Sequence, residues 1–134
     1  MIAAFGTAAG EVLPWSRQQP HFEALRRRLI DGLDGKQGIR FHLPDGGVPY
    51  IVHLSVPGIR SETLLHFLAQ REIYVSSGSA CAKGATSPVL TAMGLPAQEI
   101  DSALRVSLDY GNTAQEIDCL IDALLNAAET LVRR

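Results

Sequence analysis

The chain has 134 residues, of which 46% are hydrophobic and 19% are charged, and its formal net charge is −2. This balance is typical of one globular domain with its own core, and it excludes a disordered segment or a disulfide scaffold. The near-neutral charge gives no reason to expect a nucleic-acid partner, and no apolar run approaches the roughly 20 residues that cross a bilayer. Two distant cysteines and a poor secretory leader pattern predict a soluble, cytoplasmic protein.

The N-terminal part of the chain is predicted to be helical. Residues 1–20 are small and apolar and are interrupted by Pro14 and Pro20, which indicates a helical fragment that packs on something outside this chain. From His21 the apolar residues recur at helical spacing. Two Asp-Gly pairs, at 31–32 and 34–35, then supply the stop signals of that helix.

Two runs of alternating residues follow this helix. Residues 39–43 and 50–56 alternate apolar and polar side chains and flank a turn rich in proline and glycine, so we expect them to be antiparallel neighbours. Ser61 is suited to cap the next helix. Residues 73–77 are β-rich and are predicted to form a third strand.

The second half of the chain completes an α+β pattern. Short helices are predicted at 88–93 and 97–100, and a fourth strand at 103–108. Thr113 and Glu116 have capping-box spacing before a long amphipathic helix. The elements predict a two-layer sandwich, in which a four-stranded, mainly antiparallel sheet carries helices on one face. The leucines expected at the centre of its core are Leu54, Leu64, Leu104 and Leu124.

Cys81 is the first candidate for chemistry. It stands where a β-rich segment runs into small residues, with Gly78 and Gly84 on either side and Lys83 close by. A thiol reacts as thiolate, which needs exposure and positive potential. A half-buried structural cysteine at a strand end explains the same pattern, so the residues alone leave both interpretations open.

Arg105 is the second candidate, and the other cysteine and the histidines carry weaker signals. Arg105 interrupts an apolar strand with a guanidinium suited to a carboxylate, although a half-solvated strand would accommodate it equally well. Cys119 lies in the final helix beside aspartates and is predicted to pack rather than to react. The four histidines are never paired at metal-ligand spacing, and each is predicted to be structural rather than catalytic. His42 and His53 lie in strands, at positions that could simply face solvent.

Three motifs follow one another along the chain. They are the string Ser76-Ser77-Gly78-Ser79-Ala80-Cys81, the Pro-Val-Leu helix that ends in Ala92-Met93-Gly94-Leu95, and the strand Leu104-Arg105-Val106-Ser107-Leu108. In this order the motifs resemble the C-terminal domain of cysteine desulfurases, which are pyridoxal-phosphate enzymes of the class-V aminotransferase fold. The resemblance covers nearly the whole chain, from residue 21 to residue 132.

The resemblance implies a reaction and a role for each candidate residue. Cys81 would attack the sulfur of an L-cysteine bound to pyridoxal phosphate and become a persulfide, while L-alanine is released. Arg105 would bind the substrate carboxylate. The persulfide would pass to a sulfur-acceptor protein of an iron–sulfur or thiolation pathway, and the full-length enzyme would be a homodimer.

The lysines depart from the family pattern. The cofactor lysine of the family lies in a large domain, whereas the only lysines here, Lys36 and Lys83, stand in turns or loops. We therefore expect residues 1–34 to connect to a missing large domain, and residues 35–134 to be the small domain. On this interpretation the chain alone binds no cofactor and is inactive. The alternatives are a stand-alone sulfur-carrier module and a domain of another class-V aminotransferase or lyase.

Overall fold

The computed structural model describes residues 2–11, 14–77 and 87–131 of the chain. Two helices come first, followed by two strands, three helices, a third strand and a final helix. In chain order they are α1 (Ile2–Glu11), α2 (Trp15–Leu33), β1 (Arg40–Phe41), β2 (Ile51–Ser55), α3 (Ser61–Ala69), α4 (Pro88–Ala92), α5 (Ala97–Asp101), β3 (Ala103–Ser107) and α6 (Ala114–Thr130).

The strands form an antiparallel sheet in the order β1-β2-β3. Side chains alternate between its two faces, so that Val52 and Leu54 of β2 point the same way as their partners Val106 and Leu104 of β3. All four are buried in one core cluster. The predicted α+β class, with an antiparallel sheet and helices packed on it, is confirmed.

Helices α2, α3 and α6 cover the apolar face of the sheet. Each contributes a stripe of buried residues to the core, and α2 also packs along α6. Burying one leucine side chain stabilises the fold by about 1.5–3 kcal/mol before entropy losses, so this layer contributes most of the stability. The leucines predicted at the centre are all 0% exposed, as expected: Leu54, Leu64, Leu104 and Leu124.

Residues 73–77 form less β-structure than the sequence predicts. Of the described residues in this segment, only Ser76 pairs with the sheet, through an isolated antiparallel bridge to Arg105. The reason lies in the end of α3, because Glu72 has a positive φ of 59° and the amide of Ile73 donates to the Leu68 carbonyl at 3.1 Å. The first residues of the segment therefore terminate a helix instead of pairing with β3.

The N-terminal region holds a longer helix than predicted. The expected interruption at Pro20 is wrong, since α2 runs through that residue from Trp15. Trp15 stacks on Phe22 and meets Tyr50 edge-on, at centroid distances of 6.1 and 5.8 Å, and this aromatic packing stabilises the added turn. Helix α1 has no buried residue. None of the helices in the described parts of the chain combines the length and apolar character needed to cross a bilayer.

The capping box of α6 is present as predicted. The amide of Glu116 donates to Thr113 Oγ1 at 3.3 Å, and the amide of Thr113 donates to Glu116 Oε2 at 2.7 Å. These two bonds satisfy amides that would otherwise lack partners at the start of the helix. They fix the residue at which α6 begins, and this helix contributes a stripe of buried residues to the core.

Candidate functional site

Four residues form a row across the sheet, on the face opposite the core. The amide of His42 donates to the His53 carbonyl at 2.9 Å, His53 stands opposite Arg105, and Arg105 is bridged to Ser76. Residues that face each other across antiparallel strands project to the same side. His42, His53, Arg105 and Ser76 are called the polar row below.

Arg105 and His53 form the closer kind of cross-strand pair. The backbone N–H and C=O of Arg105 both bond to Ser76, so they point away from β2. Arg105 and His53 are therefore a non-hydrogen-bonded pair, in which Cα atoms lie only about 4.5 Å apart and side chains approach most closely. Both residues are half-buried. The imidazole and the guanidinium accordingly share one partly covered surface.

The positive charge of Arg105 is not compensated within the described parts of the chain. None of the carboxylates in residues 2–11, 14–77 and 87–131 forms an ion pair with its guanidinium. A half-buried guanidinium on a strand is held by the sheet, so little entropy is lost when it binds a planar anion. The arrangement suits a carboxylate from outside these residues.

His42 occupies the buried end of the polar row. Its Nε2 lies 2.7 Å from Ser55 Oγ, and Ser55 Oγ donates its own proton to the Glu99 carbonyl at 2.6 Å. Ser55 can therefore only accept from His42, which places the imidazole proton on Nε2. Of the two positions that could face solvent, that of His42 does not, because α5 covers it and leaves it 7% exposed.

Both histidines of the row favour their neutral form. Burial lowers the pKa of His42, an effect opposed by the charge of Glu99, whose Oε2 lies 3.7 Å from His42 Nε2. Burial also lowers the pKa of His53, and the positive charge of Arg105 lowers it further, as does that of His42 whenever His42 is protonated. Arg105 is thus the permanent cation of the row, with neutral imidazoles beside it.

His53 is the residue of this site that the sequence did not reveal. Its Nδ1 is buried and has no hydrogen-bond partner within the described residues. The sequence placed His53 in a strand but did not pair that strand with β3, so its position opposite Arg105 was not foreseen. A correct register for residues 51–55 against 103–107 would have found it.

Cys81 lies outside the described residues, in the interval 78–86. Ser76, which bonds to Arg105, precedes it by five residues, a length of chain that reaches at most about 18 Å. On the other side, Ser87 accepts a hydrogen bond from the Leu90 amide and caps α4. The polar row is therefore connected directly to the segment that carries the predicted nucleophile.

The remaining thiol and the lysine lie elsewhere. Cys119 is exposed on α6, so the prediction that it packs in the core is wrong. The buried stripe of that helix passes through its neighbours Leu120 and Ile121 instead. Lys36, the one lysine in the described ranges, is exposed in the turn after α2. In those ranges no group of three or more side chains is placed to hold a metal ion.

Comparisons with known proteins point to one family. The family model of aminotransferase class-V matches residues 4–120. A protein of Lactobacillus delbrueckii subsp. bulgaricus, named NifS/IcsS protein homolog, is 37% identical over 127 residues, which cover 91% of this chain and 33% of that protein. The cysteine desulfurase IscS of Pseudoalteromonas translucida is 35% identical over 117 residues, which cover 84% of this chain and 28% of the relative.

Solved structures agree with the sequence relatives. A NifS-like protein superposes with a TM-score of 0.75 at 32% identity, over 87% of this chain and 29% of its own. The cysteine desulfurase CsdA of Escherichia coli shares the fold, with a TM-score of 0.71 at 22% identity, over 90% of this chain and 27% of its own. This chain thus spans about a third or less of the length of these relatives. It belongs to the class-V aminotransferase family.

Proposed function

We propose that the chain is the C-terminal, thiol-bearing domain of a pyridoxal-phosphate-dependent cysteine desulfurase. The whole enzyme would take sulfur from L-cysteine, release L-alanine and pass the sulfur to an acceptor protein. The observation that carries this proposal is the bridge between Ser76 and Arg105, because it joins the start of the Cys81 segment to a cation that has no ion-pair partner among the described residues. The names of the relatives, NifS-like protein and cysteine desulfurase, agree with this chemistry.

Arg105 is proposed to bind the carboxylate of the substrate. Its guanidinium provides two parallel N–H donors that match the two oxygens of a carboxylate, and its charge persists at every physiological pH. The Ser76 bridge and the β2 partner hold its backbone from both sides. A substrate fixed at its carboxylate is oriented for attack on the sulfur at its other end.

Cys81 is proposed to be the nucleophile. Its thiolate attacks the sulfur of L-cysteine, a new S–S bond forms, and the bond between that sulfur and the substrate's β-carbon breaks. The electron pair of the broken bond stays on the carbon, which takes up a proton and leaves as L-alanine. The persulfide on Cys81 then transfers its outer sulfur to a thiol of the acceptor, so the cysteine carries sulfur between two sites.

The described residues do not supply the group that would hold pyridoxal phosphate. The cofactor requires a lysine, and Lys36 is exposed in the turn after α2. When bound, the cofactor supplies the electron sink that this carbon–sulfur cleavage needs. We place its lysine in the part of the protein beyond this chain, to which residues 1–34 would connect, and residues 35–134 form the small domain. Helix α1, with Ile2 90% and Phe5 77% exposed, offers an apolar surface for that connection.

The proposed setting is a homodimer in the cytoplasm. Two cysteines far apart in sequence suit a reducing compartment, where a persulfide on Cys81 can pass to another thiol. The homodimer follows from the family resemblance, as does the acceptor from an iron–sulfur or thiolation pathway. Neither nucleic acid nor a membrane is included among the proposed partners.

The test of this proposal is the formation of L-alanine from L-cysteine by the complete gene product that contains this chain, in the presence of pyridoxal phosphate. Arg105→Gln should lower kcat/KM about ten- to a hundredfold, because it removes a charged hydrogen bond worth about 1.5–3 kcal/mol. Arg60→Gln is the matched control, since Arg60 is an exposed arginine before α3. Absence of alanine in the wild type, or equal losses in both variants, would reject the proposal.

A further inference from the structure

Two observations indicate that His53 binds a ligand: its position opposite Arg105, and a buried ring nitrogen that has no hydrogen-bond partner among the described residues. It forms the close, non-hydrogen-bonded pair with Arg105, on the same face of the sheet. Its Nδ1 is buried and makes no hydrogen bond within the described parts of the chain. A buried polar atom without a partner costs about 1–3 kcal/mol. Because this atom lies beside a guanidinium that has no counter-charge among the described residues either, the pair indicates a ligand from outside those residues.

We propose that His53 and Arg105 form a two-residue anion site, and that a carboxylate bound there brings a proton onto His53. The identity of the carboxylate, that of L-cysteine, rests on the proposed function. Without ligand, Arg105 repels a proton from the neighbouring imidazole. A bound carboxylate compensates that charge and attracts the proton, so the carboxylate and the proton bind together.

The other charges near His53 are compatible with this coupling. His42, the residue after β1, faces His53, and its burial lowers its own pKa, which favours its neutral form. Glu99 of α5 lies beside His42, at the far end of the row. Arg40 of β1 stands opposite Ser55 and is exposed, so solvent screens it. Arg105 is therefore the charge in the described ranges whose compensation most changes protonation of His53.

The coupling has a direct consequence for binding. Because a bound carboxylate raises the pKa of His53, carboxylate affinity must rise as pH falls through the range in which His53 titrates. A rise of about half a pH unit in that pKa corresponds to about a threefold gain in affinity. His53 thus adds a second hydrogen-bond donor to the bound carboxylate at the acidic end of the pH range in which His53 titrates.

The experiment is a pH titration of the histidine side-chain NMR signals in the 134-residue chain, with sodium acetate as the probe. Sodium chloride at equal ionic strength controls for screening. Acetate should raise the pKa of His53 in the wild type, while Arg105→Gln should raise it without acetate and abolish the acetate effect. Arg105→Lys keeps the charge and should retain the acetate effect in weaker form.

Three outcomes would overturn the inference. They are the absence of an acetate effect in the wild type, an equal effect of chloride, and an acetate effect that survives in Arg105→Gln. The signal of His42, which is 7% exposed and lies 2.7 Å from Ser55 Oγ, reports whether each variant keeps its fold. If the complete gene product makes alanine but the coupling is absent, the inference alone is rejected. If the coupling is present but the complete gene product makes no alanine from L-cysteine, only the proposed function is rejected.

Discussion

Ser76 and Arg105 exchange two backbone hydrogen bonds, of 3.1 Å from Ser76 N to Arg105 O and of 2.7 Å from Arg105 N to Ser76 O. This pair of bonds attaches the segment that leads to Cys81 to the strand that carries the arginine. Two residues that the sequence separates by 29 positions, as counted from 76 to 105, thus become neighbours on one face of the sheet. The candidate site depends on this contact more than on any other in the fold.

The hydrogen bonds of Ser55 should be needed for the stability of the polar row. Ser55→Ala removes both the acceptor for His42 Nε2 and the donor to the Glu99 carbonyl. Because His42 is buried, its unpaired N–H should destabilise the fold by about 1–3 kcal/mol. Urea denaturation of wild type and variant measures this loss. Ser107→Ala, on the exposed end of β3, is the control and should change stability by less than about 0.5 kcal/mol; equal effects would contradict the assignment.

The two neutral histidines should make stability depend on pH in a defined window. Their pKa values in the folded chain lie below the ordinary value of 6.5, so the unfolded chain binds protons first as the pH falls. Stability should therefore be constant above that value, and fall as pH drops from 6.5 through the lower folded values. Urea midpoints measured across this range provide the test.

Two carboxylates should affect the stability of the fold in a separate, more acidic pH range. The Thr113 amide lowers the pKa of Glu116 below its ordinary 4.5, and Arg28 lowers the pKa of Asp118 below its ordinary 3.8. The stabilising effect of these two carboxylates is present above the ordinary pKa values and is lost as pH falls through the pKa values of the folded chain.

The substitution His53→Gln is the control for the histidine prediction. It should reduce the dependence of stability on pH below 6.5 and leave the dependence in the carboxylate range unchanged. A stability that increased on acidification from neutral pH would contradict the neutral histidines.

Helices α2 and α6 approach closely where Gly32 meets Ile121, so substitutions at these two residues should have non-additive effects on stability. A Cβ added at Gly32 would lie 2.5 Å from Ile121 Cδ1 and 3.0 Å from its Cγ1. Gly32→Ala should therefore destabilise the fold by about 1 kcal/mol, since overpacking outweighs the gain in helix propensity. Ile121→Val removes Cδ1 and should relieve the closest of these contacts. A double-mutant cycle should give a favourable coupling of about 1 kcal/mol, and strict additivity would show that Ile121 simply moves aside.

Removal of the capping box at the start of α6 should lower the stability of the fold. Thr113→Ala removes the acceptor for the Glu116 amide and should cost about 1 kcal/mol of stability. Thr130→Ala is the matched control, because that hydroxyl donates to the Asn126 carbonyl at the other end of the helix. Thermal unfolding followed by circular dichroism compares the two. A larger loss at position 130 would mean that the cap does not determine where the helix begins.

Local patterns predicted most of the elements because each depends on neighbouring residues. The alternation in residues 50–56 identified β2, and the apolar run 103–108 identified β3. The Thr113–Glu116 spacing identified the start of α6. The central leucines were correct for the same reason, since amphipathic periodicity places them on one face of their elements. The α+β class followed from the order of these elements.

Contacts between distant segments account for what the sequence did not predict. The burial of His42 depends on α5, which begins 55 positions later in the chain, as counted from 42 to 97. The continuation of α2 through Pro20 depends on aromatic packing against Tyr50. The pairing of His53 with Arg105 depends on the register between β2 and β3. Local propensity contains none of this information.

The most direct test of the account is to locate persulfide sulfur in the complete gene product after incubation with pyridoxal phosphate and L-cysteine. Mass spectrometry of trapped thiols, with proteolysis under non-reducing conditions, distinguishes the peptides of Cys81 and Cys119. We expect one added sulfur atom on Cys81, its retention in Cys119→Ser and its loss in Cys81→Ser. A persulfide on the exposed Cys119 alone, or no persulfide while alanine is still formed, would contradict the assignment of Cys81 as the sulfur carrier.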